Sequence, residues 1–593
     1  MCGIVGYIGK KNGAIPVIDG LKRLEYRGYD SWGIAAKDSG RIDFHKQVGK
    51  IGAFELAKDL PEFSGNICIG HTRWATHGGV TEANSHPHFS CDNKIAVVHN
   101  GIIENYQELR KNLEAKGHKF RSQTDTEIIP HLIEEKLKEK HNLPSAVRLA
   151  LKDLEGSYAV GVISQDDDIL IGARKGSPLV LGIGNGEFFL GSDVPAFLKY
   201  TNKVIFLDEN QMAILDQKNQ SYKIMDVNTN KQLNPEIATI EWSLDEAEKG
   251  GHPHFMIKEM LEQPYVIEKT ISVEANELKK AASMIKSAER IYIVACGTAM
   301  HAGMYGAYIF ALRNNLIVQT ISAGEFPYFE HLISTNDLII TVSQSGETAD
   351  VLEAVRSAHR SGAKVLSLVN VMGSSLMRMS DMFLLTKAGP EICVLSTKAY
   401  VSQQAMFVML SATLAGDITA GKKILQIAKN DIAKILKLMS LDKIKKLARE
   451  IATVPNIYAI GRGVNYPSAL EGCLKIKEVS YIHAEGFAGG DLKHGPISLI
   501  EPGVPVLAFV ANDGSDKEIL SNAMEVKARG ARVIGISFEN NQVFDEYFPV
   551  AANGVYTPIS AIVYTQLIAY FIALEKKLDP DKPRNLAKSV TVK

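Results

Sequence analysis

Ile291-Tyr292-Ile293-Val294-Ala295-Cys296-Gly297 returns, from position 291 to position 457, as Ile457-Tyr458-Ala459-Ile460-Gly461-Arg462-Gly463, an offset of 166. Thr341-Val342-Ser343-Gln344-Ser345-Gly346 aligns with Phe509-Val510-Ala511-Asn512-Asp513-Gly514 at an offset of 168, and Gly362-Ala363-Lys364-Val365 with Gly530-Ala531-Arg532-Val533 at the same spacing. Short apolar runs that end in glycine and lead into helical patterns are the signature of buried parallel strands. A nearly constant offset across three of them marks a duplicated unit. Each copy is expected to be a doubly wound parallel sheet with ligand loops at the strand C-terminal ends.

Working outward, the two lobes occupy 288–430 and 453–583, and a polar tail, 584–593, closes the chain. Ahead of them, 241–287 reads as a linker and connecting helices; Asp245–His254 (DEAEKGGHPH) is charged, then glycine-rich. Residues 2–240 have a different, strand-rich α+β character. Strands are expected at Ile4–Ile8, Asn66–Gly70, Lys94–His99, Tyr158–Ile163, Ile169–Ala173 and Phe188–Leu190, with helices at Ala14–Leu24, Tyr106–Ala115 and Asp125–Glu139.

The 593 residues exceed a single core, so three or four domains are expected from typical domain sizes. Lys plus Arg (66) nearly cancels Asp plus Glu (67), which argues against nucleic acid or an acidic membrane as partner. Six cysteines without a CxxC pair suit a reducing compartment. The opening has no basic region followed by an apolar run, so a cytoplasmic protein without a signal peptide is expected. The longest apolar stretch, Ile559–Leu574, includes Thr565 and Gln566 and reads as a buried helix rather than a membrane span.

Cys2 follows the initiator in Met1-Cys2-Gly3-Ile4-Val5-Gly6. Removal of Met1 would give one residue both a thiol and an α-amine, whose ordinary pKa is about 7.7–8.0, to serve as its base. The alternative is a structural cysteine opening a buried strand. A thiolate attacking an amide generates an oxyanion. The Asn100 side chain and Gly101 N–H are candidate donors for it, although Asn-Gly alone is a common turn signal. For a glutamine substrate, Arg73 suits the α-carboxylate and Asp125 the α-ammonium. His71, His77, His86 and His88 follow no zinc-ligand spacing, so no metal is expected.

With Leu24–Ser31, His71–Gly78 (HTRWATHG), Asn84–His88 and His99–Asn105 (HNGIIEN), the first 240 residues resemble a class II glutamine amidotransferase domain. The resemblance implies an N-terminal nucleophile fold in which Cys2 attacks glutamine and Asn100 with Gly101 forms the oxyanion hole. It also implies that Arg73, Thr76, His77 and Asp125 hold glutamine and that Trp74 gates the released ammonia, where a tryptophan is otherwise a packing residue.

In the first lobe Ser343-Gln344-Ser345-Gly346-Glu347-Thr348 lies between an apolar strand and a helix, a phosphate cradle by residue type or else simply a helix cap. The second lobe has Ala511–Asp516 in its place, with carboxylates that would repel phosphate, so only the first lobe is expected to bind it. Cys393–Lys398 (CVLSTK) could add sugar contacts. Lys475–Ser480, His483–Glu485, Asp491–Pro496 and the lysine-bearing tail supply acid, base and Schiff-base candidates.

Together these segments resemble, over essentially the whole chain, the glucosamine-6-phosphate synthase family: an amidotransferase followed by two sugar isomerase (SIS) domains. That resemblance implies synthesis of glucosamine 6-phosphate from fructose 6-phosphate and glutamine, with ammonia passed internally and no cofactor. It assigns the isomerase base to Glu478, ring opening to His494 from the neighbouring subunit of a homodimer, and the Schiff base to Lys588 assisted by Lys475. Ser343, Gln344, Ser345 and Thr348 would bind phosphate; Thr298, Val394, Ser396 and Ala587 would line the sugar. The family's usual serine after Cys-Gly-Thr is Ala299 here. The competing readings are a different glutamine-dependent sugar-phosphate transferase and a non-catalytic sugar-phosphate sensor.

Overall fold

The structure, a computed structural model, describes residues 2–75, 77–240, 246 and 248–591, except the side chains of 438–440. Thr76 and the first residues of the expected linker lie outside the described residues. By their contacts the residues fall into two units, 1–244 with 587–593, and 245–586.

In the first unit an eight-stranded and a seven-stranded sheet, built from antiparallel pairs, pack face to face. Ile4, Ile69 and Leu181 of one sheet meet Val98, Ala159 and Leu215 of the other in a dry core. Helix Ala14–Arg23 lies on the outer face of the larger sheet. Helices Ile128–Lys138 and Leu143–Lys152 cover the smaller one. This helix–sheet–sheet–helix layering is the α+β class expected for residues 2–240.

Strand Gly3–Ile8 sits inside the larger sheet, between Ile67–Arg73 and Phe188–Gly191, and is buried on both faces. The register Gly3 opposite Thr72 brings Cys2 alongside Arg73. Asn100-Gly101 does not turn the chain: both residues continue strand Ile95–Ile103, paired to Gly156–Ser164. Gly101 has φ +133°, and a Cβ there would lie 2.1 Å from the Ser157 carbonyl oxygen, so the position requires glycine.

The helix expected from Asp125 begins instead at Ile128. The acidic side chains before it are engaged with backbone outside the helix. Glu127 accepts from the amides of Arg121 (2.7 Å) and Ser122 (2.6 Å), and Asp125 Oδ2 from the amide of Ile103 (2.8 Å). Strands Ser31–Asp38, Arg41–Val48, Lys203–Phe206, Gln211–Asp216 and Ser221–Asp226 were not expected. Arg41–Val48 and Ser221–Asp226 are largely exposed or half-buried, and their polar residues hide the strand pattern.

The second unit holds two five-stranded parallel sheets. The first contains Arg290–Ala295, Val318–Ser322, Asp337–Ser343, Lys364–Val369 and Met382–Leu385. The second contains Asn456–Gly461, His483–Ala488, Pro505–Val510, Arg532–Ser537 and Glu546–Pro549. Numbered in chain order within each sheet, both have the spatial order 2-1-3-4-5. In such sheets ligands bind where strand order reverses, at the C-terminal ends of the first and third strands. The duplication extends to single dihedrals: Gly297 and Gly463 have φ +53° and +50°, Gly346 and Gly514 +67° and +92°.

Helix Pro558–Glu575 is buried at every residue from Pro558 to Ala573 and lies in the core of this unit. Among the described residues it is the one helix long and apolar enough to cross a membrane, and its burial marks it as a core element. Met256, Met260, Ile267, Leu278 and Ile285, from the helices within 255–287, join the same core.

Candidate active sites

The Cys2 backbone carbonyl is held by Asn100 Nδ2 (3.0 Å) and Arg27 Nε (3.2 Å). Cys2 Sγ accepts from the Trp74 amide at 3.3 Å. Burial pushes this thiol up; the chain's amino terminus, the Trp74 N–H and the Arg73 and Arg27 charges pull it back. The Asn100 amide is fixed from both ends. Its Nδ2 also donates to Ser192 Oγ (2.8 Å), and its Oδ1 lies 3.0 Å from His71 Nε2. Both Nδ2 protons are therefore engaged, and service to an oxyanion requires one of these bonds to be released.

Arg73, nearly fully buried, donates through its guanidinium to the carbonyls of His77, Gly78 and Gly79, closing the loop that follows its own strand. Asp30 Oδ2 holds the same loop at the Ala75 amide (2.8 Å). His77 packs edge-on against Tyr106. The structure thus brings together Cys2, Arg73, Trp74 and Asn100, with Gly101 next along the strand. Asp125 is buried and tied to the Ile103 amide, two residues beyond Gly101.

Arg27, His71 and Ser192 were not singled out for this role. Arg27 stands in the Leu24–Ser31 motif and His71 opens the His71–Gly78 motif, whereas Ser192, just after strand Phe188–Gly191, carries no local signal. His71 Nε2 donates to the His99 carbonyl (2.9 Å) as well as to Asn100. Burial lowers His71 to about 3, so it is a neutral positioning residue. The unfolded chain takes up a proton near pH 6.5 that folded His71 refuses until about pH 3, so its stabilising contribution is lost as pH falls through that window. About 3 kcal/mol should be gone by pH 4.5. The melting temperature of His71→Gln is expected to fall less steeply between pH 7 and 4.5 than that of the parent; equal slopes would contradict this.

In the second unit a network of charged and polar side chains spans the two lobes. Glu471, Lys475 and Glu478 recur at four- and three-residue spacing along helix Tyr466–Ser480, on one face. Lys475 Nζ, fully buried, lies 2.7 Å from Glu478 Oε2 and 3.3 Å from Glu471 Oε1, and donates to Thr298 Oγ1 at 2.9 Å. Thr298 donates to Glu471 Oε1 (3.1 Å), and His301 Nδ1 lies 2.8 Å from Glu471 Oε2. Burial pulls the Lys475 ammonium down, but the Glu471 and Glu478 carboxylates outweigh it and hold it well above its ordinary range. Glu471 and His301 were missed by the sequence reading, although Glu471 lies one helical turn before Lys475.

The Ser343–Thr348 loop lies where the strand order reverses in the first lobe. The hydroxyls of Ser343 and Ser345 accept from the amides of Gly346 (2.9 Å) and Glu347 (3.2 Å), and Thr348 stands at the N-cap position of helix Ala349–Arg360 without a side-chain capping bond. Glu347 is turned aside, accepting from the Ser375 amide at 2.7 Å. In the second lobe Asp513 Oδ1 takes the amide (3.0 Å) and hydroxyl (2.7 Å) of Ser515 at the matching place. Val394 is buried, its amide donating to the Asp581 carbonyl at 3.1 Å, and Ser396, two residues on, is half-buried. His494 is exposed on the turn Gly489–His494 and makes no hydrogen bond or ion pair with the Lys475 network among the described residues. Ala587 and Lys588 are half-buried and cluster with the first unit.

The glutamine amidotransferase domain family matches residues 71–199, and the SIS domain family matches 284–413 and 450–574. Over all of both chains the sequence is 45% identical to the isomerising glutamine–fructose-6-phosphate aminotransferase of Thermococcus kodakarensis, and also 45% to that of Methanothermobacter thermautotrophicus. The solved C-terminal domain of glucosamine-fructose-6-phosphate aminotransferase from Francisella tularensis superposes with a TM-score of 0.53 at 33% identity, covering 56% of this chain and 99% of that one.

Proposed function

The chain belongs to the isomerising glutamine–fructose-6-phosphate aminotransferase family, and from that premise we infer its reaction and the residues that carry it. It converts D-fructose 6-phosphate and L-glutamine to D-glucosamine 6-phosphate and L-glutamate. The single observation that carries this reading is the pairing, in one chain matched end to end by enzymes of that name, of a glutaminase-type unit with two sugar isomerase lobes.

The Cys2 thiolate attacks the side-chain amide of glutamine, with the α-amine left by Met1 removal as base. Asn100 Nδ2 and the Gly101 amide receive the oxyanion, such a donor contributing about 2.7–4 kcal/mol in other hydrolases. Ammonia leaves, and water releases glutamate from the thioester. Arg73, Thr76, His77 and Asp125 hold the amino acid, and Trp74 gates the ammonia released.

Fructose 6-phosphate sits with its phosphoryl group in the Ser343–Thr348 loop, accepting from Ser343, Gln344, Ser345 and Thr348. Thr298, Val394, Ser396 and Ala587 line the sugar. The two lobes differ in the way phosphate binding requires: hydroxyls and amides face one another in the first, whereas a carboxylate consumes the donors in the second. His494 of the neighbouring subunit in a homodimer opens the ring, and the exposure of His494 supports that role. Lys588 condenses with C2 and loses water; ammonia then displaces the lysine to give the C2 imine. Glu478, paired with Lys475, removes a C1 proton and returns it to C2, converting the hydroxy-imine into the amino aldehyde without an oxidant or reductant. The free cysteines suit a cytoplasmic enzyme.

The phosphate assignment is tested by replacing Ser343 and Ser345 together with alanine. Losing two hydrogen bonds to a charged group, about 1.5–3 kcal/mol each, should raise KM for fructose 6-phosphate roughly 10²- to 10⁴-fold while glutaminase kcat stays within about twofold. An unchanged KM would place the phosphoryl group elsewhere.

A further inference from the structure

The glutaminase-type unit contains a second cluster of reactive groups that the amidotransferase chemistry does not use. Cys91, His118, His131 and Glu134 present Sγ, Nδ1, Nδ1 and Oε2 to a common centre, all within 4.8 Å of one another. The edges are 3.4 Å (Cys91–His118), 3.5 Å (Cys91–His131), 3.1 Å (His118–His131), 3.5 Å (His118–Glu134) and 3.6 Å (His131–Glu134). A tetrahedral zinc ion at ordinary Zn–S and Zn–N/O distances requires ligand separations of about 3.3–3.6 Å. Four of these five separations fall in that range, the His118–His131 contact is slightly shorter, and Cys91 Sγ and Glu134 Oε2 lie within 4.8 Å of each other.

The hydrogen bonding leads to the same conclusion. His118 Nε2 lies 2.9 Å from Glu135 Oε1; as donor there it leaves its Nδ1 an acceptor. Either neutral tautomer of His131 then faces a lone pair toward another acceptor, at His118 Nδ1 (3.1 Å) or at Glu127 Oε1, 3.8 Å from its Nε2. Both rings are almost fully buried, which makes such a clash costly. A divalent cation at the centre resolves it, with His118 Nε2–H bonded to Glu135 and His131 Nε2–H facing Glu127 Oε1 at 3.8 Å, carboxylate neighbours of the kind usual for metal-bound histidines.

We propose that Cys91, His118, His131 and Glu134 bind a structural zinc ion. Four protein ligands leave no open position for a reacting water, so the site is structural rather than catalytic. The ligands come from three places: Cys91 just beyond strand His88–Phe89, His118 in the loop after helix Tyr106–Ala115, and His131 with Glu134 on helix Ile128–Lys138. The ion joins these segments and so anchors the start of the helix, immediately after Asp125. On binding, the thiol proton of Cys91 passes to solvent. The sequence showed none of this, because 27- and 13-residue gaps match no ligand spacing and the expected metal candidates were other histidines. Those have other partners: His86 Nδ1 accepts from the His99 amide (3.3 Å), and His88 Nε2 lies 3.1 Å from Thr124 Oγ1.

The test is metal content and cobalt spectroscopy on the full chain purified without chelator or immobilised metal. About one zinc per chain is expected, removable by a strong chelator with a fall in melting temperature that zinc alone reverses. Cobalt loaded in its place should show a tetrahedral spectrum with a thiolate-to-metal band that Cys91→Ser abolishes. Glu135→Gln, which leaves every ligand in place, should weaken zinc binding roughly 10- to 100-fold. If Cys91→Ser does not fold, the parent's cobalt spectrum and the Glu135→Gln affinity still decide the matter. Less than a tenth of a zinc per chain after incubation with stoichiometric zinc, or a cobalt spectrum without a thiolate band, would overturn the proposal.

Discussion

Cys2→Ala should form no glutamate from glutamine, with a loss of at least about a thousandfold, the scale on which removal of a nucleophile acts in other hydrolases. Synthesis of glucosamine 6-phosphate from glutamine should fall equally. Fructose 6-phosphate affinity should not change, because Cys2 lies in the first unit and the phosphate loop in the second. The change is also structurally mild: Sγ makes contact with the Trp74 backbone, whereas the carbonyl that anchors Asn100 and Arg27 remains in the variant. A melting temperature close to the parent's would separate lost chemistry from lost folding. Simultaneous loss of sugar-phosphate binding in titration would contradict separate sites. Intact mass of the purified parent should show the chain without Met1, and a Met1-retaining form should hydrolyse glutamine far more slowly, lacking both the free α-amine and an accessible thiolate.

Glu478→Gln should lower amino-sugar formation by roughly 10²–10⁴, the usual contribution of a positioned general base, with glutaminase activity and KM for fructose 6-phosphate little changed. The reason lies in the helix face that carries it. Lys475 is fully buried and lies 3.3 Å from Glu471 Oε1 and 2.7 Å from Glu478 Oε2, so the Glu478 carboxyl is held in direction by its cation. Lys475→Met differs instructively. It leaves Glu471 buried without its cation, and breaking a buried pair in this way costs about 3–5 kcal/mol. Rate and stability should therefore fall together in Lys475→Met but only rate in Glu478→Gln. If Glu478→Gln retained more than half of parental turnover, the isomerase base would have to be another group.

The duplicated sheets were legible because each repeat ends in a glycine whose backbone conformation recurs: Gly297 with Gly463, Gly346 with Gly514. In the N-terminal unit Gly3–Ile8 was legible from its apolar run and Arg41–Val48 was hidden by its polar residues, while Ser31–Asp38 escaped the sequence reading although it is buried at all but its last residue. Asn100-Gly101 illustrates how tertiary pairing overrides a local turn signal: Gly156–Ser164 draws both residues into a ladder. At the sites, motif residues such as Arg73, Asn100, Lys475 and Glu478 could be named from sequence. Of the groups that fix them, Glu471 lies on the same helix as Lys475, four residues before it, and was legible in principle from that spacing, whereas His71, Ser192 and His301 act through contacts between elements far apart in the chain. The same holds for Cys91 and His118, whose neighbours in sequence carry no hint of each other.

The central claim is that one chain moves the amide nitrogen of glutamine onto the C2 carbon of fructose 6-phosphate. The most direct test is to supply glutamine labelled at the amide nitrogen, with an excess of unlabelled ammonium in the buffer, and to follow both products by mass spectrometry. Glucosamine 6-phosphate carrying the label, formed one-to-one with glutamate, is the predicted result. Glutamate accumulating without amino sugar, or amino sugar whose nitrogen comes from the buffer, would contradict it.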